Sequence, residues 1–223
     1  MYRKFFLIIC FVIILSLSGC FIKALHPFYL KEDVIFDDIF LGHWYDQDSS
    51  RWEILQHQGS KGFLKGDTLY PAYRVRLIEG RFKDDFIVHM FKLGSATYLD
   101  FYPDMNDQDG KNTDLFVSHI IPTHTLARFY KTNDSLIYVK WYDEEWLKDL
   151  FEQRRIKIAH ETVKQGRYDT SYILTATTEE LHKFISKYGN DPNAFKSSWE
   201  AKPEDQDKED FTIILRRNNN AKD

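Results

Sequence analysis

Phe86-Ile87-Val88-His89-Met90-Phe91-Lys92-Leu93, then Gly94-Ser95, then Thr97-Tyr98-Leu99-Asp100-Phe101-Tyr102: two runs rich in β-branched and aromatic residues, joined at a Gly-Ser turn, read as neighbouring strands. In the first run both alternate sets are apolar, Phe86, Val88 and Met90 against Ile87, Phe91 and Leu93. Such a strand is expected to be covered on both faces. The run before it, Leu69 to Leu77, behaves differently. Tyr73, Val75 and Leu77 share one face, and Arg74 and Arg76 share the other, so that strand has one wet face.

The same reading extends in both directions. Further strands are expected at His43 to Asp46, Arg51 to Gln56, Phe116 to Ile120, Thr125 to Tyr130, Leu136 to Tyr142, Tyr172 to Thr175 and Phe211 to Arg216. Turn residues separate them: Gly59 to Gly62, Gly80 and Asn133-Asp134. Most links before Tyr142 are short, which favours antiparallel neighbours. Leu136 to Trp141 is apolar on both faces, like Phe86 to Leu93.

Helical signals are local. Asp143 caps a helix with Glu144 and Glu145 in its first turn and Trp146, Leu147, Leu150 and Phe151 on one face. Thr177 and Glu180 form a capping box before Leu181, Phe184, Ile185 and Tyr188, with Gly189 suited to the C′ position. Asp191-Pro192 opens a short helix towards Phe195, and Asp37 to Leu41 can form one helical turn. The Trp146 and Phe184 helices are the expected covers for the two-sided strands. The fold class is mainly β with minor α: an antiparallel barrel or strongly curved sheet with two or three covering helices.

The N-terminus reads as an address. Arg3 and Lys4 precede an apolar run from Phe5 to Leu17, shorter than the ~20 residues a span needs. Leu17-Ser18-Gly19-Cys20 resembles the lipobox of bacterial lipoproteins. That resemblance implies diacylglycerol on the Cys20 thiol, cleavage before Cys20 and acylation of the new amine. Residues 1–19 are then a lipoprotein signal peptide, 20–33 a lipidated tether, and 34–223 a single domain. Phe21 follows Cys20 where an Asp would signal inner-membrane retention in some bacteria. The expected location is the cell envelope, anchored in the outer membrane.

Processing removes Arg3 and Lys4 and no acid, so the formal charge of −4 becomes more negative by two. A chain with that balance is a poor match to nucleic acid. Cys10 and Cys20 are the only cysteines, and neither is left as a thiol in the folded part. Thiol catalysis and cysteine-ligated metals are excluded on this reading.

The search for chemistry yields little. No Gly-x-Ser-x-Gly, P-loop or Gly-x-Gly-x-x-Gly occurs. His160-Glu161 begins like a metalloprotease helix, but Lys164 stands where the second His belongs. His119 and His124 flank Pro122 with no third ligand at a useful spacing. Between Asp104 and Asp114 a calcium-loop pattern anchored on Gly110 fails at Met105 and Phe116. Pro203 to Asp210 reads as an exposed acidic loop. The expectation is no catalytic residue, no metal, and no cofactor beyond covalent lipid on Cys20.

Leu41-Gly42-His43-Trp44 at the first main strand resembles the Gly-x-Trp opening of lipocalin-type barrels. In those barrels a basic residue near the last strand packs over the Trp, which implies Arg216 or Arg217 over Trp44 here. The mature chain also resembles a family of uncharacterised bacterial lipoproteins. The residues that carry this are Leu25-His26-Pro27-Phe28-Tyr29, Leu41-Gly42-His43-Trp44, Tyr98-Leu99-Asp100-Phe101-Tyr102-Pro103, His124-Thr125-Leu126-Ala127-Arg128, Trp146-Leu147 and Leu174-Thr175-Ala176. The likeness implies a lipocalin-like fold and no activity.

Aromatic residues number 5 Trp, 13 Tyr and 18 Phe, enough either for a bulky core or for an aromatic-lined cavity. The functional expectation is a non-catalytic, membrane-anchored lipoprotein that binds an apolar small molecule in the barrel or an envelope protein partner. His89, Asp100 and Arg128 are the candidates for orienting a ligand head. The alternative is a purely structural or assembly lipoprotein with a filled barrel.

Overall fold

The computed structural model describes residues 21–57, 70–105, 115, 118–165, 169–195 and 212–218. Residues 1–20, including the expected signal and Cys20, the expected turn at Gly59 to Gly62, most of the Asp104 to Asp114 segment, and Pro203 to Asp210 lie outside them.

Among the described residues twelve strands form: β1 Lys23–Ala24, β2 Val34–Ile35, β3 Gly42–Tyr45, β4 Arg51–His57, β5 Ala72–Glu79, β6 Phe82–Leu93, β7 Ala96–Pro103, β8 His124–Asn133, β9 Leu136–Trp141, β10 His160–Gln165, β11 Asp169–Leu174 and β12 Thr212–Arg217. Strands β3 to β9 pair in sequence, β12 inserts between β9 and β3, and β8–β9 pairing closes the ring. The result is a closed, antiparallel, lipocalin-like barrel of eight strands, which leaves no free edge in the ring. Gly80 and Gly94 supply the left-handed conformation that the β5–β6 and β6–β7 hairpins require.

Connections alternate between the two ends. The β3–β4 and β5–β6 hairpins, the β7–β8 connection and the Trp141 end of β9 share one end, here called the rim. The β4–β5, β6–β7 and β8–β9 connections share the other. That second end is sealed by a 3₁₀ turn, Asp38–Phe40, in which the Asp37 carboxylate accepts the Ile39 N–H at 3.0 Å.

Two apolar layers result. Inside the barrel lie Trp44, Trp52, Ile54, Tyr73, Val75, Val88, Met90, Leu99, Phe101, Phe129, Val139 and Trp141. Outside β6, β7 and β8 a second core forms from Phe28, Phe91, Tyr98, Leu126 and Tyr142 with the buried faces of α1, Glu144–Glu152, and α2, Thr178–Tyr188. Asp143 caps α1 through Glu145 N–H at 2.9 Å, and Thr177 and Glu180 complete the capping box of α2. A 3₁₀ turn, Pro192–Phe195, adds Ala194 and Phe195 to this outer core.

The wet face of β5 is held by charge. Arg76 grips Asp85 with two hydrogen bonds of 2.8 Å, and Arg74 reaches Asp85 and Asp104 at 3.4 Å. These guanidinium groups hold the Asp85 carboxyl below its usual range.

Four expectations need correction. Residues 21–33, expected as a tether ahead of the domain at 34, are packed into it. Lys23–Ala24 lies between β8 and β11, and Ile22, Ala24 and Phe28 are fully buried. The apolar character of this segment is spent on the fold. The run expected as a strand at Phe116 to Ile120 is a turn at Ser118 and His119, where Ser118 Oγ bonds back to Leu115 O. Strand β9 is buried on one face only, since Leu136, Tyr138 and Lys140 stay half-buried. The covering helices reach β6 to β8 and stop short of it. Gly189 ends α2 in right-handed geometry, φ −65°, not the left-handed C′ form. It is glycine because of crowding: a Cβ there would lie 2.6 Å from Ile185 O and 2.7 Å from Tyr98 Oη.

Candidate functional site

At the sealed end, β3 enters the barrel through Gly42 at φ +114°, a conformation that suits glycine. The missing Cβ also matters, because it would meet Arg217 Nη1 at 2.8 Å. Arg217 lies across the indole of Trp44, its guanidinium carbon 4.2 Å from the ring centroid. It donates to Ile39 O at 2.8 Å, Leu41 O at 3.0 Å and Asp134 O at 2.8 Å. Trp44 has no exposed surface, and its Nε1 donates to Phe40 O at 3.1 Å. One arginine thus binds the last strand, the 3₁₀ plug and the β8–β9 turn together. Arg216 pairs with Tyr45 through the backbone and points its side chain to solvent.

The three proposed ligand-orienting residues do not enter the lumen. His89 shares its face of β6 with Phe91, Asp100 shares its face of β7 with Tyr98, and Arg128 shares its face of β8 with Leu126. All three faces turn towards the outer core. Asp100 is fully buried and accepts Phe28 N–H at 2.9 Å, with His124 Nδ1 at 2.6 Å. His89 sits opposite it and stacks on Tyr29 at 4.7 Å. Burial raises the Tyr29 hydroxyl pKa, and Asp100 adds to the rise. The cluster is an internal clasp that holds the N-terminal segment against the barrel wall.

Arg128 is a second fastener. Its Nη1 donates to Asn190 Oδ1 at 2.6 Å and Gly189 O at 3.1 Å, and its guanidinium stacks over Tyr98 and Tyr130. Tyr142 Oη donates to the same Gly189 carbonyl at 2.6 Å. Together they tie the C-terminus of α2 to β8 and to Tyr142, just after β9.

Two anchors of this outer layer were not foreseen. The sequence offers His124 only as a candidate metal ligand; its partner in the fold is Asp100. Glu144, read as a first-turn acid, is buried and accepts from Ser171 Oγ at 2.8 Å and from Tyr172 N–H, joining α1 to β11.

His89 makes the clasp sensitive to acid. Burial pushes its imidazole down to about 4, with Asp100 opposing and His124 and His57 adding to the fall. The folded state keeps His89 neutral, while the unfolded chain takes up a proton near 6.5. Its contribution is therefore complete above pH 6.5 and is lost between pH 6.5 and 4, by about 3 kcal/mol at most. Urea unfolding across that window should show the fall, and His89→Gln should flatten it relative to wild type.

The lumen is crossed by rings at two levels. Near the rim, Trp52 of β4 meets Phe101 of β7 at 6.4 Å, and Phe101 meets Trp141 of β9 at 4.6 Å. Near the sealed end, Phe40 meets Tyr73 of β5 at 5.1 Å and Phe129 of β8 at 5.5 Å. Strands β4 and β7, and β5 and β8, stand three apart in a ring of eight, so these contacts run across the barrel. Among the described residues no group of three or more His, Cys, Asp or Glu is placed to hold a metal ion. No described helix is long and apolar enough to cross a membrane. No family model, no curated protein and no solved structure matches this chain.

Proposed function

We propose that this protein is a lipid-anchored lipoprotein of the bacterial envelope that works as a non-catalytic scaffold. Its filled barrel presents an outer surface to an envelope partner. One observation favours a scaffold over a container: rings bridge strands three apart at both levels, directly between Trp52 and Phe101 near the rim and through Phe40 between Tyr73 and Phe129 near the sealed end. An eight-stranded barrel is just wide enough for its own side chains to fill it or for one small ligand. The ring contacts across the lumen support the first of these. The polar groups that would orient a ligand head are engaged outside the wall, in Asp100–His124 and Arg128–Gly189.

The anchor reading is supported by Arg3-Lys4, the apolar run and Leu17-Ser18-Gly19-Cys20. Each buried CH₂ contributes ~0.8 kcal/mol, so two or three acyl chains hold a protein on the bilayer far more firmly than one. Cells fed an alkyne fatty acid should label the wild-type protein, and Cys20→Ser should abolish the label and block processing at this site. Equal labelling of both would overturn the lipoprotein reading.

A further inference from the structure

Among the described residues four large hydrophobic side chains are more than half exposed: Ile121 at 75%, Leu115 at 72%, Phe82 at 62% and Leu55 at 57%. Scattered singly, such residues need no explanation. Three of these four, however, lie at the rim. Phe82 is at the tip of the β5–β6 hairpin, and Leu115 and Ile121 are in the β7–β8 connection, beside the partly exposed Ile120. The two described hairpin tips at the opposite end, Gly94-Ser95 and Asp134-Ser135, carry no apolar side chain.

The chain itself indicates what covers the rim. Phe21, the first described residue, bridges to Asp143 and packs its ring 4.9 Å from Trp141, at the rim end of β9. Cys20, the residue before Phe21, therefore joins the fold at the end where the exposed apolar residues are found. Fixing Ile22, Ala24 and Phe28 in the core leaves no free length between Cys20 and the barrel. Whatever membrane Cys20 enters must be close to the rim.

We propose that the rim bearing Phe82, Ile120 and Ile121 rests on the lipid surface that receives the N-terminal segment, with these side chains in the headgroup–acyl boundary and the barrel standing on the membrane. The proposal rests on the lipid-anchor reading. Apolar burial drives the contact, since Arg81 and Lys83 beside Phe82 are balanced by Glu79 and Asp84 in the same hairpin. A standing barrel keeps α1, α2 and the sealed end open to a partner in the aqueous phase.

The test uses the full chain, processed in bacteria and reconstituted into vesicles of phosphatidylethanolamine and phosphatidylglycerol. An environment-sensitive fluorescent amino acid replaces Ile121, Phe82 or, as reference, Asp134 at the sealed end. Nitroxide-bearing phospholipids should quench the probe at 121 and at 82 and leave the probe at 134 bright. An unquenched probe at 121 and 82, whether from a lifted barrel or a rim buried in a second copy, overturns the proposal. So does equal quenching at 134. Intact mass of the same sample separates the two claims. Acylation without rim quenching defeats the docking alone, and rim quenching without acylation defeats the lipid-anchor reading alone.

Discussion

Replacing Trp44 by alanine will lower the unfolding free energy by about 3–5 kcal/mol, the cost of a large cavity where a buried indole stood. The ring is fully enclosed, and its loss also removes the support beneath Arg217 and the hydrogen bond to Phe40 O. Arg217→Ala should reproduce part of this effect. It forfeits a cation–π contact of ~0.5–2 kcal/mol and leaves the Ile39 and Leu41 carbonyls without their donor. Arg217→Lys should rescue little, because a single ammonium cannot span both carbonyls and lie flat on the ring. Urea denaturation of the three variants checks this order. A Trp44→Ala protein with an unchanged midpoint would mean that the plug does not hold the barrel end.

Asp100→Ala is expected to cost about 2–5 kcal/mol, since it leaves two buried donors unsatisfied at about 1–3 kcal/mol each. The carboxylate has no exposed surface and serves two donors, Phe28 N–H and His124 Nδ1, from segments far apart in sequence. Its loss strands both. Asp100→Asn keeps an acceptor for one donor and should cost less. Because Phe28 belongs to the N-terminal segment, the first observable consequence should be local. Backbone amides at residues 22–28 should lose hydrogen-exchange protection at denaturant concentrations that leave the β4–β5 amides protected. Equal loss across the barrel would show that Asp100 supports the whole fold and not the clasp.

The barrel was legible because its strands carry period-two patterns broken by glycine turns, and Arg74 and Arg76 mark the wet side of β5 beyond doubt. The helices were legible from their caps, Asp143 and Thr177-x-x-Glu180. Three strands gave no such signal. Lys23–Ala24 and Val34–Ile35 are two residues long and cannot show a period. His160–Gln165 is an edge strand of mostly polar residues.

The orientation of His89, Asp100 and Arg128 was harder to read for a physical reason. A second apolar layer covers β6 to β8, so both faces of those strands are hydrophobic and alternation loses its sign. A usable signal was nonetheless present one hairpin away. Tyr73 and Val75 face in because Arg74 and Arg76 face out, and the short Gly80 turn sets Tyr73 opposite Val88. Cross-strand partners share a face, so Val88 points inward and His89 outward. Asp100 lies opposite His89 and inherits that outward direction.

A barrel filled by its own side chains and serving as a scaffold leaves no room for a resident ligand. Native mass spectrometry of the mature protein, released gently from membranes and measured before and after organic extraction, decides between the two. A filled barrel should give one species before and after extraction, with the mass of the polypeptide plus the covalent acyl groups on Cys20, and no quenching of Trp fluorescence by added fatty acids. A stoichiometric non-covalent adduct that extraction removes, with quenching restored when it is added back, would show that the rings part for a ligand and would contradict it.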